Sequence, residues 1–179
     1  MISKKIIIFM TLILLISGCS STNTSNIRVK SYANNDIGIN LNYPEKWVVT
    51  DKFMGAGAAW LVIGEKEFIV MEGNQWPFVN IFGFKPRDMS IISDRLEKLN
   101  EVNKGKEVTK STVKINGRKY MKYETDELSN EQMKGKMIFY VLEEKDIAVL
   151  IETIEINKDL PKNFKNEIKE IINSIKIKE

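Results

Sequence analysis

The chain has 179 residues, 43% of them hydrophobic, with 27 Lys and Arg facing 24 Asp and Glu for a formal charge of +3. Lys4 and Lys5 fall in an N-terminal leader, so the remainder is close to neutral and offers no basic surplus for nucleic acid. There is no histidine and only one cysteine, which excludes Ser-His-Asp and Cys-His catalysis, histidine-based zinc sites and any internal disulfide.

Lys4 and Lys5 precede an apolar stretch from Ile6 to Ile16, broken only by Thr11, and the small residues Ser17 and Gly18 follow. These are the charged, apolar and cleavage regions of a signal peptide. The stretch is shorter than the roughly 20 residues a helix needs to cross a bilayer. Its end, Leu15-Ile16-Ser17-Gly18-Cys19, resembles the bacterial lipobox, in which a diacylglyceryl group is joined to the cysteine thiol before cleavage. The expectation is therefore a leader over 1–18, a lipidated Cys19, and a chain held outside the cytoplasm on a bacterial membrane by palmitate-type acyl chains. Ser20 to Asn26 carry no apolar side chain and read as a flexible tether, at most about 25 Å long when extended. Residues 27–179 are long enough for one domain and too short to suggest two.

Within that domain Ile37, Ile39, Leu41 and Tyr43 alternate with Gly38, Asn40 and Asn42, the pattern of a strand with one buried face, which Pro44 stops. Further strands are expected at Trp60 to Ile63, Phe68 to Met71 and Phe78 to Phe84. Ile92, Leu96 and Leu99 then recur at helical spacing, with Ser90 placed to cap the start and Gly105 just past the end. Asn116-Gly117 predicts a two-residue hairpin turn. Its register pairs Ile115 with Arg118 and Val113 with Tyr120 on a buried face, and Lys114 with Lys119 in solvent. Met137 to Leu142 and Ile147 to Ile151 are apolar on both alternating faces and predict strands covered on both sides. Phe164, Ile168, Ile171, Ile172 and Ile175 form a closing helical stripe, with Asp159 as cap and Pro161 in the first turn. Together these elements predict an α+β fold, a central antiparallel sheet flanked by helices in an α/β/α sandwich.

Asp36-Ile37-Gly38-Ile39-Asn40-Leu41-Asn42-Tyr43-Pro44-Glu45-Lys46-Trp47, the Ile115-Asn116-Gly117 hairpin and the closing Ile171-Ile172-Asn173-Ser174-Ile175 together resemble the PsbP-like domains, from about residue 30 to 178. The resemblance implies the same sandwich. The family includes photosystem accessory proteins, a nuclear-transport factor and bacterial lipoproteins, so it implies architecture and no particular activity.

Phosphate-binding glycine motifs are missing from the sequence, and the adjacent acids Glu143 and Glu144 read as a solvated turn. No catalytic residue, cofactor or metal is expected. The candidate binding surface is Phe53, Met54 and Trp60, from the pliable stretch Phe53-Met54-Gly55-Ala56-Gly57-Ala58-Ala59-Trp60, joined by Trp76 and Phe78. Core burial is the competing expectation for these side chains, and Trp47 is expected in the core. Lys162, Lys165 and Lys169 beside Glu167 and Glu170 read as a mixed, solvated helix face. The expected role is a non-enzymatic binding or assembly accessory of the cell envelope, partnered by the membrane through Cys19 and by a protein. One alternative is a carrier or sensor of a small apolar ligand, held in a cavity lined by residues such as Phe82 and Phe84. Another is an envelope enzyme.

Overall fold

A computed structural model describes residues 28–65, 79–104, 106–129, 134–156 and 163–178. The leader, Cys19, the tether, the expected strand at Phe68 to Met71, Trp76, Phe78, Gly105, Asp159, Pro161 and Lys162 lie outside them.

The main sheet joins β3 (Trp47–Phe53), β4 (Ala58–Glu65), β5 (Val79–Phe84), β10 (Ala148–Ile156), β9 (Lys134–Glu143), β7 (Arg118–Glu124) and β6 (Thr109–Ile115) in that spatial order. The short β8 (Leu128–Ser129) also pairs with β9. Every pairing among them is antiparallel. The two continuously apolar segments become the neighbouring strands β9 and β10, which lie inside the sheet and are covered on both faces. The α+β sandwich expected from the sequence is the fold observed.

One face carries α1 (Ser90–Val102), which buries Ile92 and Leu99 against Phe82, Phe84, Phe139 and Leu150. The other face carries α2 (Phe164–Ser174), whose Phe164, Ile168, Ile171 and Ile172 join an aliphatic core with Leu61, Ile81, Val149 and Ile151. A second, three-stranded sheet of β1 (Val29–Asn34), β2 (Ile39–Pro44) and β11 (Lys176–Ile177) packs on that same core. Gly83 makes this approach possible, because a Cβ there would stand 2.6 Å from Ile37 Cδ1.

The Asn116-Gly117 turn has φ of 48° and 82°, the left-handed pair a tight hairpin demands. Its register is the expected one, with Val113 opposite Tyr120 and Lys114 opposite Lys119. Tyr120 and Ile115 are buried.

Three local expectations are corrected and the stop at Pro44 is met. Ser90 is the first residue of α1 rather than its cap; its backbone N–H is taken by the Asp88 carboxylate at 2.8 Å, so the capping oxygen comes from two residues earlier. β2 stops at Pro44 as expected, with the proline itself as the last paired residue, opposite Val29, a place at a strand end where a missing N–H is tolerated. Ile175 caps α2 in extended geometry instead of continuing it, yet stays buried. Glu167 is not solvated: it is 3% exposed, because Trp47 Nε1 donates to its carboxylate at 3.1 Å and Lys46 Nζ pairs with it at 3.0 Å. Trp47 itself is fully buried against Phe164, as expected.

Candidate functional site

The glycine- and alanine-rich stretch is the turn joining β3 to β4. Gly57, at φ 75°, accepts the Lys85 N–H at 2.7 Å, and a Cβ at this position would collide with the Lys85 carbonyl. The turn is thereby held against the end of β5, which fixes the register that brings Lys52, Trp60 and Phe82 into line across three strands. Trp60 is half-buried and stacks on Phe82 with ring centroids 5.5 Å apart. Lys52 Nζ lies 4.3 Å above its ring and the Arg95 guanidinium 4.8 Å from that of Phe82, so cations flank a stacked aromatic pair.

Beneath the pair runs a polar bridge. Trp60 Nε1 donates to Asn80 Oδ1 at 3.3 Å, and Asn80 Nδ2 donates to Glu152 Oε2 at 3.2 Å. Glu152 Oε1 has no hydrogen-bond donor, but Arg95 Nε of α1 stands 3.0 Å away as its ion-pair partner. Burial raises the Glu152 carboxyl above its ordinary value, with Arg95 and Asn80 opposing. A charged residue inside the apolar run of β10 requires such partners. That is the signal by which Asn80, Arg95 and Glu152 were detectable in the sequence, and none was singled out there.

Of the expected surface, then, Trp60 is in place with one side sunk onto Phe82, and Met54 is 36% exposed in the turn. Phe53 lies on β3 opposite Ala59. Phe82 and Phe84, expected to line a closed ligand cavity, are 3% and 4% exposed inside the core under α1; they fill that space with side chains.

An open, mainly apolar groove lies on the opposite face. With a volume of about 370 Å³, it lies between the flank of α2 and residues of the edge strand β6 and the inner strands β9 and β10. Val113, Ile115, Ile138, Ile168 and Ile172 give it apolar walls, Tyr140 and Thr153 add hydroxyls, and Lys165 and Lys169 stand on the helix side. Burial raises the Tyr140 phenol above its ordinary value, with the charges of Glu124 and Glu155 adding to the effect. The Thr153 hydroxyl oxygen is buried without a hydrogen-bond partner among the described residues. Of the groove residues, Lys165 and Lys169 entered the functional reading of the sequence, while Val113, Ile115, Ile168 and Ile172 entered it only as parts of the fold.

Among the described residues no group of three or more carboxylates or thiols is gathered to hold a metal. Glu143 and Glu144 are engaged by Arg87, at 2.9 Å, and by Arg118. Among the described residues, too, no helix is long and apolar enough to cross a membrane.

No family model matches the sequence, and no curated protein does. Among solved structures the fold is similar to the solution structure of cyanobacterial PsbP (CyanoP) from Synechocystis sp. PCC 6803, with a TM-score of 0.53 and 12% identity over 89% of this chain and 98% of that one. A crystal structure of a protein from Bacteroides thetaiotaomicron VPI-5482 aligns at a TM-score of 0.49 and 17% identity over 84% of this chain. The chain spans about half the length of that protein, 48% of it. The fold is PsbP-like.

Proposed function

We propose that the chain is a lipid-anchored protein of a bacterial envelope, with a leader over 1–18, lipid on Cys19, a tether to residue 26 and one PsbP-like domain that binds a protein partner without catalysing a reaction. The observation that carries this reading is the run Leu15-Ile16-Ser17-Gly18-Cys19 ahead of a polar spacer. A PsbP-like fold supports a binding accessory, since that fold brings no catalytic constellation of its own with it, and the sequence has no histidine to serve as a base. The tether restricts the domain to a few nanometres from the bilayer, where partners are other envelope components.

The partner surface is assigned to the Trp60 side of the sheet. A half-exposed indole held rigid by stacking and by its bond to Asn80 presents apolar area at little entropic cost, which is what interface anchors require. Two measurements test the reading. Metabolic labelling with an alkyne fatty acid is expected to mark the wild-type chain and not Cys19→Ser; persistent labelling of the variant overturns the anchor. In-cell crosslinking is expected to yield one discrete adduct that Trp60→Ala removes, and an adduct unchanged by Trp60→Ala overturns the surface.

A further inference from the structure

We propose that the groove beside α2 binds a single-chain anionic amphiphile of the fatty-acid class. The inference rests on the geometry of that groove and is independent of how the chain is anchored. Three observations carry it.

The first is shape. α2 covers the centre of the sheet through Phe164, Ile168 and Ile171, and the hairpin of β6 and β7 meets its C-terminal end, where Asn116 Nδ2 donates to the Asn173 carbonyl. Along the flank of the helix lies a mainly apolar trough lined by Val113, Ile138 and Ile172. Its volume of about 370 Å³ falls within the roughly 300–1,000 Å³ of small-molecule sites.

The second is charge. Four charged residues border the groove: Lys114, Glu155, Lys165 and Lys169. The register sets the side chain of Lys114 on the far face, opposite Lys119, so β6 offers the groove only its backbone there. Glu155 is taken by Lys165. Among the described residues Lys169 has no ion-pair partner, and it sits one turn after Lys165 on the same flank. The groove therefore ends in one uncompensated ammonium, which selects an acidic head over a neutral or cationic one.

The third is the unmet hydrogen-bonding capacity of the floor. Thr153 is 4% exposed and its hydroxyl oxygen lacks a partner among the described residues. Such a group costs stability when left unpaired. A carboxylate or carbonyl oxygen entering from the Lys169 end accepts from both the ammonium and a hydroxyl, and the alkyl chain then lies against the isoleucines.

The test uses the full-length protein in bilayer nanodiscs of phosphatidylcholine, photolabelled with a diazirine analogue of palmitic acid and, in parallel, with the corresponding diazirine alcohol. Adducts are mapped by peptide mass spectrometry. The acid is expected to label peptides containing Val113, Tyr140 and Ile172 ahead of the rest of the domain. Lys169→Glu, a change at an exposed position, is expected to reduce labelling by the acid about five-fold or more and to leave labelling by the alcohol unchanged. Val113→Trp, which fills the trough, is expected to abolish both. Labelling centred on other peptides overturns the proposal, as does acid labelling that survives Lys169→Glu. Equal labelling by acid and alcohol in the wild type overturns its anionic part.

Discussion

The two faces of the main sheet solve the same covering problem with different chemistry. Under α2 the core is mainly isoleucine, leucine and valine around Trp47, Tyr120 and Phe164, and the buried Glu167 is locked by Trp47 and Lys46 at the junction with β3. Burial lowers the Lys46 ammonium, but the hydrogen bonds it donates to Glu65 and Glu167, with their charges, outweigh this and raise it above its ordinary value. Under α1 a smaller core gathers Phe82, Phe84 and Phe139 among aliphatic side chains, and a polar bridge from Trp60 through Asn80 and Glu152 to Arg95 runs along its margin. The contrast shows where each helix stops covering: α1 stops at a rigid tryptophan, α2 at an open trough. Both candidate sites lie on these margins, because the centres are fully occupied by side chains that stability requires.

Substitutions break or sharpen the contrast in a graded series. Ile171→Ala, at a fully buried position under α2, is expected to cost about 2–5 kcal/mol in urea unfolding; a loss below 1 kcal/mol on that scale would mean that this face is not the main core. Asn116→Ala comes next. Its amide donates to the Asn173 and Ile175 carbonyls at 2.7 and 2.6 Å, and its φ is positive, so about 1–3 kcal/mol is expected from lost bonding and turn strain. Trp60→Ala removes a half-buried ring and is expected to lower stability by less than about 2 kcal/mol, short of a full core truncation. A larger loss would move Trp60 from the margin into the core.

The smallest expected change in neutral solution is that of Glu152→Gln, and its signature is a slope. Because the folded carboxyl holds its proton more tightly than the unfolded one, the folded state binds more protons between the ordinary and the raised value. Stability from this group is therefore greatest below the ordinary carboxyl range and falls as pH rises through the raised value. Thermal melts of the wild type across that window are expected to show this fall superimposed on other groups, and Glu152→Gln to remove it. Glu124, held low chiefly by Lys122 and Lys136, contributes the opposite slope, losing stability on acidification. An unchanged pH profile for Glu152→Gln would show the bridge to be electrostatically silent.

The hairpin, both helices and the two doubly covered strands were legible because each is written in local spacing: Asn-Gly with its flanking alternation, isoleucines at helical intervals, unbroken apolar runs. The second sheet was not. β11 has two residues and is recruited by β2 through pairing across more than a hundred positions, a choice no local pattern encodes. Glu167 was misplaced for a related reason. A helical wheel sets it beside Phe164 and Ile171 on the buried stripe, a place the lysines next to it in the sequence obscure, and the distant Trp47 and Lys46 make its burial tolerable. At the candidate surface, Trp60 was legible as a residue needing either a core or a partner, whereas its seating on Phe82 depended on the register of β4 and β5.

The central claim is that this domain acts at a membrane because Cys19 carries lipid. The intact mass of the protein extracted from bacterial membranes tests it most directly. A chain beginning at Cys19 and heavier than its polypeptide by a diacylglyceryl group is the predicted result. An unmodified chain, or one whose first residue lies elsewhere, would contradict it.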